Sequence, residues 1–172
     1  IKPSSRKYPF IRFNSERKLG KDVLNVEGLS KTVDGSVLFQ DVRFALARGE
    51  RIAITGHDVA VSTFLETLAG EVEPDGGTVR WGSSTNVAYL PKDNSTFFLS
   101  ADNLVDWMRQ WTENMEEEFV RGFLGRMLFS GDETQKECNV LSGGEKVRCM
   151  LSRMMLQDPN VLILDGPTNH LD

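Results

Sequence analysis

The stretch from Val140 to Asp172, VLSGGEKVRCMLSRMMLQDPNVLILDGPTNHLD, constrains the fold more than any other part of the chain. Ser142 stands three residues before Glu145, the spacing of a capping box at a helix start. Met150, Leu151, Met154 and Met155 then recur at helical spacing, which predicts an amphipathic helix with that face inward. Pro159 cannot continue a helix, and the chain next enters Val161-Leu162-Ile163-Leu164. So continuous an apolar run reads as a buried strand of a parallel sheet. Asp165 falls at its carboxyl end, where open α/β sheets place their ligand sites.

Two chemical tools result. Gly143 and Gly144 let a ligand approach the backbone, and a helix start offers unsatisfied N–H groups and a positive dipole end, which suits phosphate. Asp165 can hold Mg²⁺ directly or through water. Either half alone is what an ordinary capped helix or buried strand would show; the PTNHLD that follows argues against that plain reading.

These residues carry a resemblance. LSGGE, Leu141 to Glu145, resembles the signature motif of ABC-type ATPases; LILD, ending at Asp165, resembles their Walker B strand; and Asn169-His170-Leu171-Asp172 resembles their D-loop. The wording LSGGEKVR with PTNHLD is similar to the ABC-F subgroup, paired cytosolic ATPase domains that act on ribosomes. The resemblance implies an α/β P-loop NTPase domain with a parallel-sheet core, an antiparallel β subdomain and a small helical subdomain at about 98–140. The family fold continues beyond a D-loop, so the resemblance implies a chain truncated after it, a piece of a longer polypeptide. It further implies ATP and Mg²⁺ as cofactors and a head-to-tail sister ABC domain in the same parent.

Composition narrows the alternatives. No apolar run approaches the ~20 residues that span a bilayer, and IKPSSRKYPF lacks the apolar core of a secretion signal. Cys138 and Cys149 show neither metal-ligand nor disulfide spacing and read as free thiols of a cytoplasmic protein. The net charge of −5 divides unevenly: residues 1–21 carry +6 and the rest −11. A basic arm at 1–20, with Tyr8, Phe10 and Phe13 among its cations, fits a solvated linker or contact with a phosphate-rich polymer, its aromatics stacking on bases or pinning the arm to the domain. By resemblance it is the end of the linker between two ATPase domains, which in that subgroup meets RNA. With the shortened turn described below, KYPFIRF resembles the YbiT-like branch.

Within the domain, 21–172, the pattern predicts strands near Val23–Val26 and Val37–Ala47 with a turn at Asp34-Gly35, and a short strand over 51–55. A helix from Ser62 to Ala69 stopped by Gly70, strands at 78–81 and 87–90, and helical segments between Ala101 and Phe129 follow. A P-loop needs a strand, a glycine-rich turn, a lysine and a Ser or Thr for Mg²⁺. The context at Gly56-His57-Asp58-Val59-Ala60-Val61-Ser62-Thr63 is right and the contents are not. With Ser62 at the metal position the turn is one residue short, Ala60 replaces the second glycine, and Val61 replaces the lysine. A lost charge-assisted contact costs about 1.5–3 kcal/mol, or one to two decades in affinity. Weak nucleotide binding and none at all are both compatible with such a turn.

Three further positions depart from the family pattern. Val33 stands where an adenine-stacking aromatic is expected, Lys92 where the Q-loop has glutamine, and Gly166 where a glutamate should polarise the attacking water. Loss of lysine and carboxylate together should cut hydrolysis by orders of magnitude, so no catalytic residue is assigned. His57 reads as a solvated side chain, His170 as part of the D-loop rather than the switch histidine, and Glu116–Glu118 as a solvated helix face. The function expected is the second nucleotide-binding domain of an ABC-F protein acting in translation, lending LSGGE to its sister's ATP. The alternatives are a non-catalytic ABC-fold interaction module and, against the EKVR and NHLD wording, the ATPase subunit of a transporter.

Overall fold

β1 (Asp22–Val33) turns back on itself at Asp34-Gly35 and pairs antiparallel with β2 (Ser36–Ala47), Val33 facing Ser36. Both turn residues take positive φ, 48° and 77°, the handedness that two-residue hairpin turns need to match strand twist. The structure, a computed structural model, describes residues 8–169. Their contacts divide the chain into two compact units, 15–92 with 159–166, and 93–158 with the described parts of 8–14 and 167–169.

In the first unit β3 (Gly76–Trp81) joins the free side of β1, giving the order β2-β1-β3. Val26 and Leu29 of β1 pack with Phe64, Leu65 and Leu68 of α1 (Asp58–Ala69). Phe39 meets Phe64 edge-on at 5.1 Å, and the Trp81 indole N–H donates to the Leu68 carbonyl at 3.0 Å. Gly70 closes α1 in the left-handed conformation, as the sequence predicts. β4 (Val87–Leu90) and β5 (Val161–Leu164) run parallel in register.

Three expectations need correction here. Residues 51–55 form no strand: an apolar run marks a segment as strand-like, but a strand also needs a ladder partner, and among the described residues this segment has none. β5 is parallel as expected but not buried throughout. Ile163 enters the core, whereas Leu162 and Leu164 are 36% and 38% exposed, the alternation of a strand with one covered face. Helix α1 begins at Asp58, four residues before Ser62, because nothing in Asp58-Val59-Ala60-Val61 breaks a helix and Val61 packs against the core.

The second unit is helical: α2 (Leu104–Arg109), α3 (Glu117–Arg126) and α4 (Gly143–Leu156), joined by short 3₁₀ turns. Trp107 stacks on Phe98 at 4.8 Å and donates its indole N–H to the Phe97 carbonyl at 2.7 Å. Val120, Leu124, Met150 and Met154 complete the interior, and Arg153 lies 4.0 Å from the Trp111 ring as a cation–π contact. Met155 is only half-buried on α4. The Glu116–Glu118 run is exposed as expected, though Glu117 also accepts from Arg121 at 2.7 Å. Cys138 and Cys149 are free and buried, and burial pushes the Cys138 thiol up to about 11. Among the described residues no helix is long and apolar enough to cross a membrane.

Gly77 marks the tightest backbone approach. Its φ is +86°, and a Cβ there would collide with the carbonyl of Gly28 on β1. Gly77→Ala should therefore lower the unfolding free energy by roughly 2 kcal/mol or more in denaturant titrations, against a gain of about 0.5–1 kcal/mol from Ala at exposed, mid-helix Gly122.

Candidate functional site

Two helix N-termini carry the residues singled out from sequence, one in each unit. In the first unit the early start of α1 leaves little of a turn before the helix. Only Gly56 and His57 remain outside the helix, so Asp58, Val59 and Ala60 are its first three residues. Their N–H groups have no intrahelical acceptor, and His57 at the N-cap makes no side-chain cap bond. Val61 packs its side chain on the core, its Cγ2 3.6 Å from where a Cβ would stand at Gly56. Ser62 and Thr63 follow, half-buried, on the first turns of the helix.

The carboxylate of Asp58 stands at this helix start and accepts from Lys92 Nζ at 2.7 Å. The Lys92 hydrogen bond holds the Asp58 carboxyl below its usual range, and the same bond raises Lys92. Sequence reading registered Lys92 only as a missing glutamine and Asp58 only as a turn residue. Their pairing, 34 residues apart, is a product of the fold.

At the carboxyl end of β5, Asp165 is 6% exposed, and its N–H donates to the Leu90 carbonyl at 3.0 Å. Its Oδ2 is buried with no hydrogen-bond partner. Burial first, then the charges of Asp165 and Glu71, raises the carboxyl of Glu66 on α1. Burial, with Glu66 and Asp165 nearby, likewise raises Tyr89, whose hydroxyl is also unpartnered. A bound cation would give this buried carboxylate oxygen the partner it lacks, and on that ground Asp165 fits Mg²⁺. Among the described residues no three His, Cys, Asp or Glu side chains converge, so further ligands would come from Ser62, water or phosphate.

Gly166, where a glutamate is expected, takes a left-handed backbone. Its φ is +57°, a conformation that costs an L-residue about 1–2 kcal/mol. Val33 sits half-open at the hairpin end. A hollow of about 590 Å³ on the antiparallel sheet, lined by Leu24, Ala45, Arg80 and Trp81 among others, includes none of Gly56–Thr63.

The second unit holds the other helix start fully formed. Ser142 Oγ accepts from the Glu145 N–H at 3.3 Å, and the Glu145 carboxylate accepts from the Ser142 N–H at 2.8 Å, the capping box read from sequence. Lys136 Nζ adds an ion pair to Glu145 at 2.7 Å that the sequence did not reveal. Leu141 is buried as the anchor of the loop, while Ser142 and Gly143 are exposed. The bonds satisfy the N–H of Glu145 and leave those of Gly143 and Gly144, which bear no side chains of their own, without intrahelical acceptors. Asn169 is exposed in a turn; His170, Leu171 and Asp172 lie outside the described residues.

Residues 39–169 match the family model described as ABC transporter. The chain is an ABC ATP-binding domain. It is 57% identical to the ABC transporter ATP-binding protein YkpA of Bacillus subtilis and 45% identical to the ATP-binding protein YbiT of Escherichia coli O157:H7, each over the whole of this chain. ABC transporter F family member 5 of Arabidopsis thaliana is 32% identical over 99% of the chain. The chain spans about a third of the length of YkpA and YbiT, 32% and 33%. Among solved structures, cbiO1 of Clostridium perfringens aligns with a TM-score of 0.60 at 22% identity, covering 89% of this chain and 68% of that one. A bacterial Atm1-family ABC exporter with ATP bound aligns at 0.69 and 16%, covering 92% and 32%. The fold is thus the α/β ABC-type P-loop NTPase architecture that the motifs imply.

Two outcomes follow for this ABC domain. Burial raises Glu145, but the bonds from Lys136 and Ser142 outweigh it and hold the carboxyl down at about 2, against 4.5 unfolded. A depressed carboxyl stabilises the fold above its unfolded value and loses that contribution as the pH falls through the folded one. Glu145→Gln should therefore cost about 1–2 kcal/mol at pH 7 by denaturant unfolding. The gap to wild type should narrow as the pH falls from 4.5 toward about 2. Gly166→Glu should lower stability by about 1–2 kcal/mol in the same unfolding titrations, because a side chain there must take a left-handed φ.

Proposed function

We propose that this chain is the second nucleotide-binding domain of a paired ABC-F protein, lending its signature helix to an ATP held and hydrolysed on a sister domain. Its own α1 site binds nucleotide weakly and hydrolyses it slowly or not at all. The observation that supports this division of labour is the contrast between the two helix starts. α4 presents Gly143 and Gly144 behind a complete Ser142–Glu145 cap. α1 presents Asp58 and Val59, with Val61 in the core and Gly166 beyond Asp165.

The chemistry expected of the α4 start is electrostatic. Two glycine backbone N–H groups and the helix dipole meet the developing charge on a phosphoryl group, where positioning contributes more than covalent participation. Mg²⁺, when bound with ATP, would neutralise phosphate charge, with Asp165 and Ser62 as this domain's own ligands for it. Action on the ribosome is supported by the likeness to ABC transporter F family member 5 and by the +6 charge of residues 1–21. Phe10 donates its N–H to the Arg126 carbonyl at 2.8 Å, which fixes that part of the arm while Tyr8 stays 80% exposed for stacking on a base. A cytoplasmic location accords with this role.

Ser142→Arg in the full-length parent tests the reading. Steady-state ATP turnover should fall at least about ten-fold while ATP binding at the sister site persists, because a donor meeting transition-state charge acts on rate rather than ground-state affinity. Co-sedimentation with ribosomes should survive the substitution. Unchanged turnover would favour the other reading, a non-catalytic ABC-fold docking module, for which the Val61 and Gly166 departures speak.

A further inference from the structure

No residue of α1 itself, Asp58 to Ala69, carries a positive charge, so a phosphate at its N-terminus would meet no cation from that element. One arrives from elsewhere in the same unit. Lys92, two residues past the end of β4, donates to Asp58 Oδ2 at 2.7 Å. We propose that Lys92 is the phosphate-binding cation of this site, delivered from the end of β4 in place of the missing turn lysine, with Asp58 as its counter-ion until a phosphate chain displaces it. The proposal rests on the reading that the α1 site still takes nucleotide weakly.

Position comes first. Asp58 is the first residue of a twelve-residue helix, and the ammonium held on its carboxylate stands at the end where N–H groups lack acceptors and the dipole is positive. An anion drawn to those N–H groups arrives beside Lys92.

The contact is also suited to exchange. The two side chains are 40% and 82% exposed, and an ion pair so open to water is weak and screened by salt. A polyphosphate offers the same ammonium several charged oxygens, whereas Asp58 offers one carboxylate, so exchange favours the ligand when it is present. Asp58 without Lys92 would repel phosphate from the helix start. Paired, it holds the cation where the phosphate must come.

A second carboxylate points to the same ligand. Asp165, buried with Oδ2 unpartnered, also acts on the Lys92 charge. The site therefore brings together one exposed cation, its water-exposed carboxylate partner and one buried carboxylate whose Oδ2 lacks a partner. A Mg²⁺–nucleotide complex supplies the complement of two of them, metal for Asp165 and phosphate for Lys92, and leaves the Asp58 carboxylate to water.

The discriminating variant is Lys92→Gln, which installs the residue that ABC domains are expected to carry there. In the full-length parent, with the upstream sister site disabled at its own P-loop lysine, N-methylanthraniloyl-ATP with Mg²⁺ is titrated by fluorescence. Lys92→Gln should weaken binding about ten-fold and flatten its salt dependence, as loss of one charge-assisted phosphate contact requires. Lys92→Arg should hold affinity within a few-fold, and Asp58→Asn should tighten it. If the disabled parent binds no labelled ATP, the weak site itself is wrong and Lys92 with it. If it binds and Lys92→Gln leaves affinity unchanged or improved, the weak site stands and the role of Lys92 is overturned.

Discussion

Every α-helix begins with N–H groups that its own turns cannot satisfy, and what occupies them decides whether that end can serve a ligand. This ABC domain resolves the constraint in opposite ways at its two important helices. At α4 the Ser142–Glu145 box, with Lys136 behind it, satisfies the third N–H and leaves the two glycine N–H groups in front. At α1 the first three residues, Asp58, Val59 and Ala60, all carry side chains, and one of them is a carboxylate. Both are helix N-termini with the same dipole. The difference lies in the few side chains around them.

Packing explains why the α1 end took this form. Val61 contributes apolar surface to the cluster of Leu29, Phe64, Leu65 and Ile163, and a core position draws its residue inward. A lysine there would have kept its charge in water or on phosphate. With Val61 facing the core, the residues before it continue the helix back to Asp58. The Asp58–Lys92 pair stands at that helix start. The same economy of backbone holds at Gly166, whose left-handed φ lets the chain leave β5 directly after Asp165.

Much of this was legible in the sequence because it depends on local rules. Ser142 three before Glu145 specifies a capping box, Asp34-Gly35 a hairpin turn, Gly70 a left-handed helix end, and Val161–Leu164 a parallel strand. Residues 51–55 were misread because apolarity was taken for pairing, and the α1 start because a motif template was imposed on residues with no helix breaker. The one-sided burial of β5 was illegible for a similar reason: a run of four apolar residues does not say which face the core will cover.

By itself, then, the sequence determined the family, the formed signature helix and the aspartate at the end of β5. These are matters of residue type at fixed short spacing, and short spacing translates directly into local geometry. Only the tertiary structure decided that Lys92 meets Asp58, that Lys136 braces Glu145, and that Oδ2 of Asp165 is left without a partner. Those contacts join residues that chain order keeps apart or depend on burial that many distant residues create together, and neither can be read from neighbours along the chain.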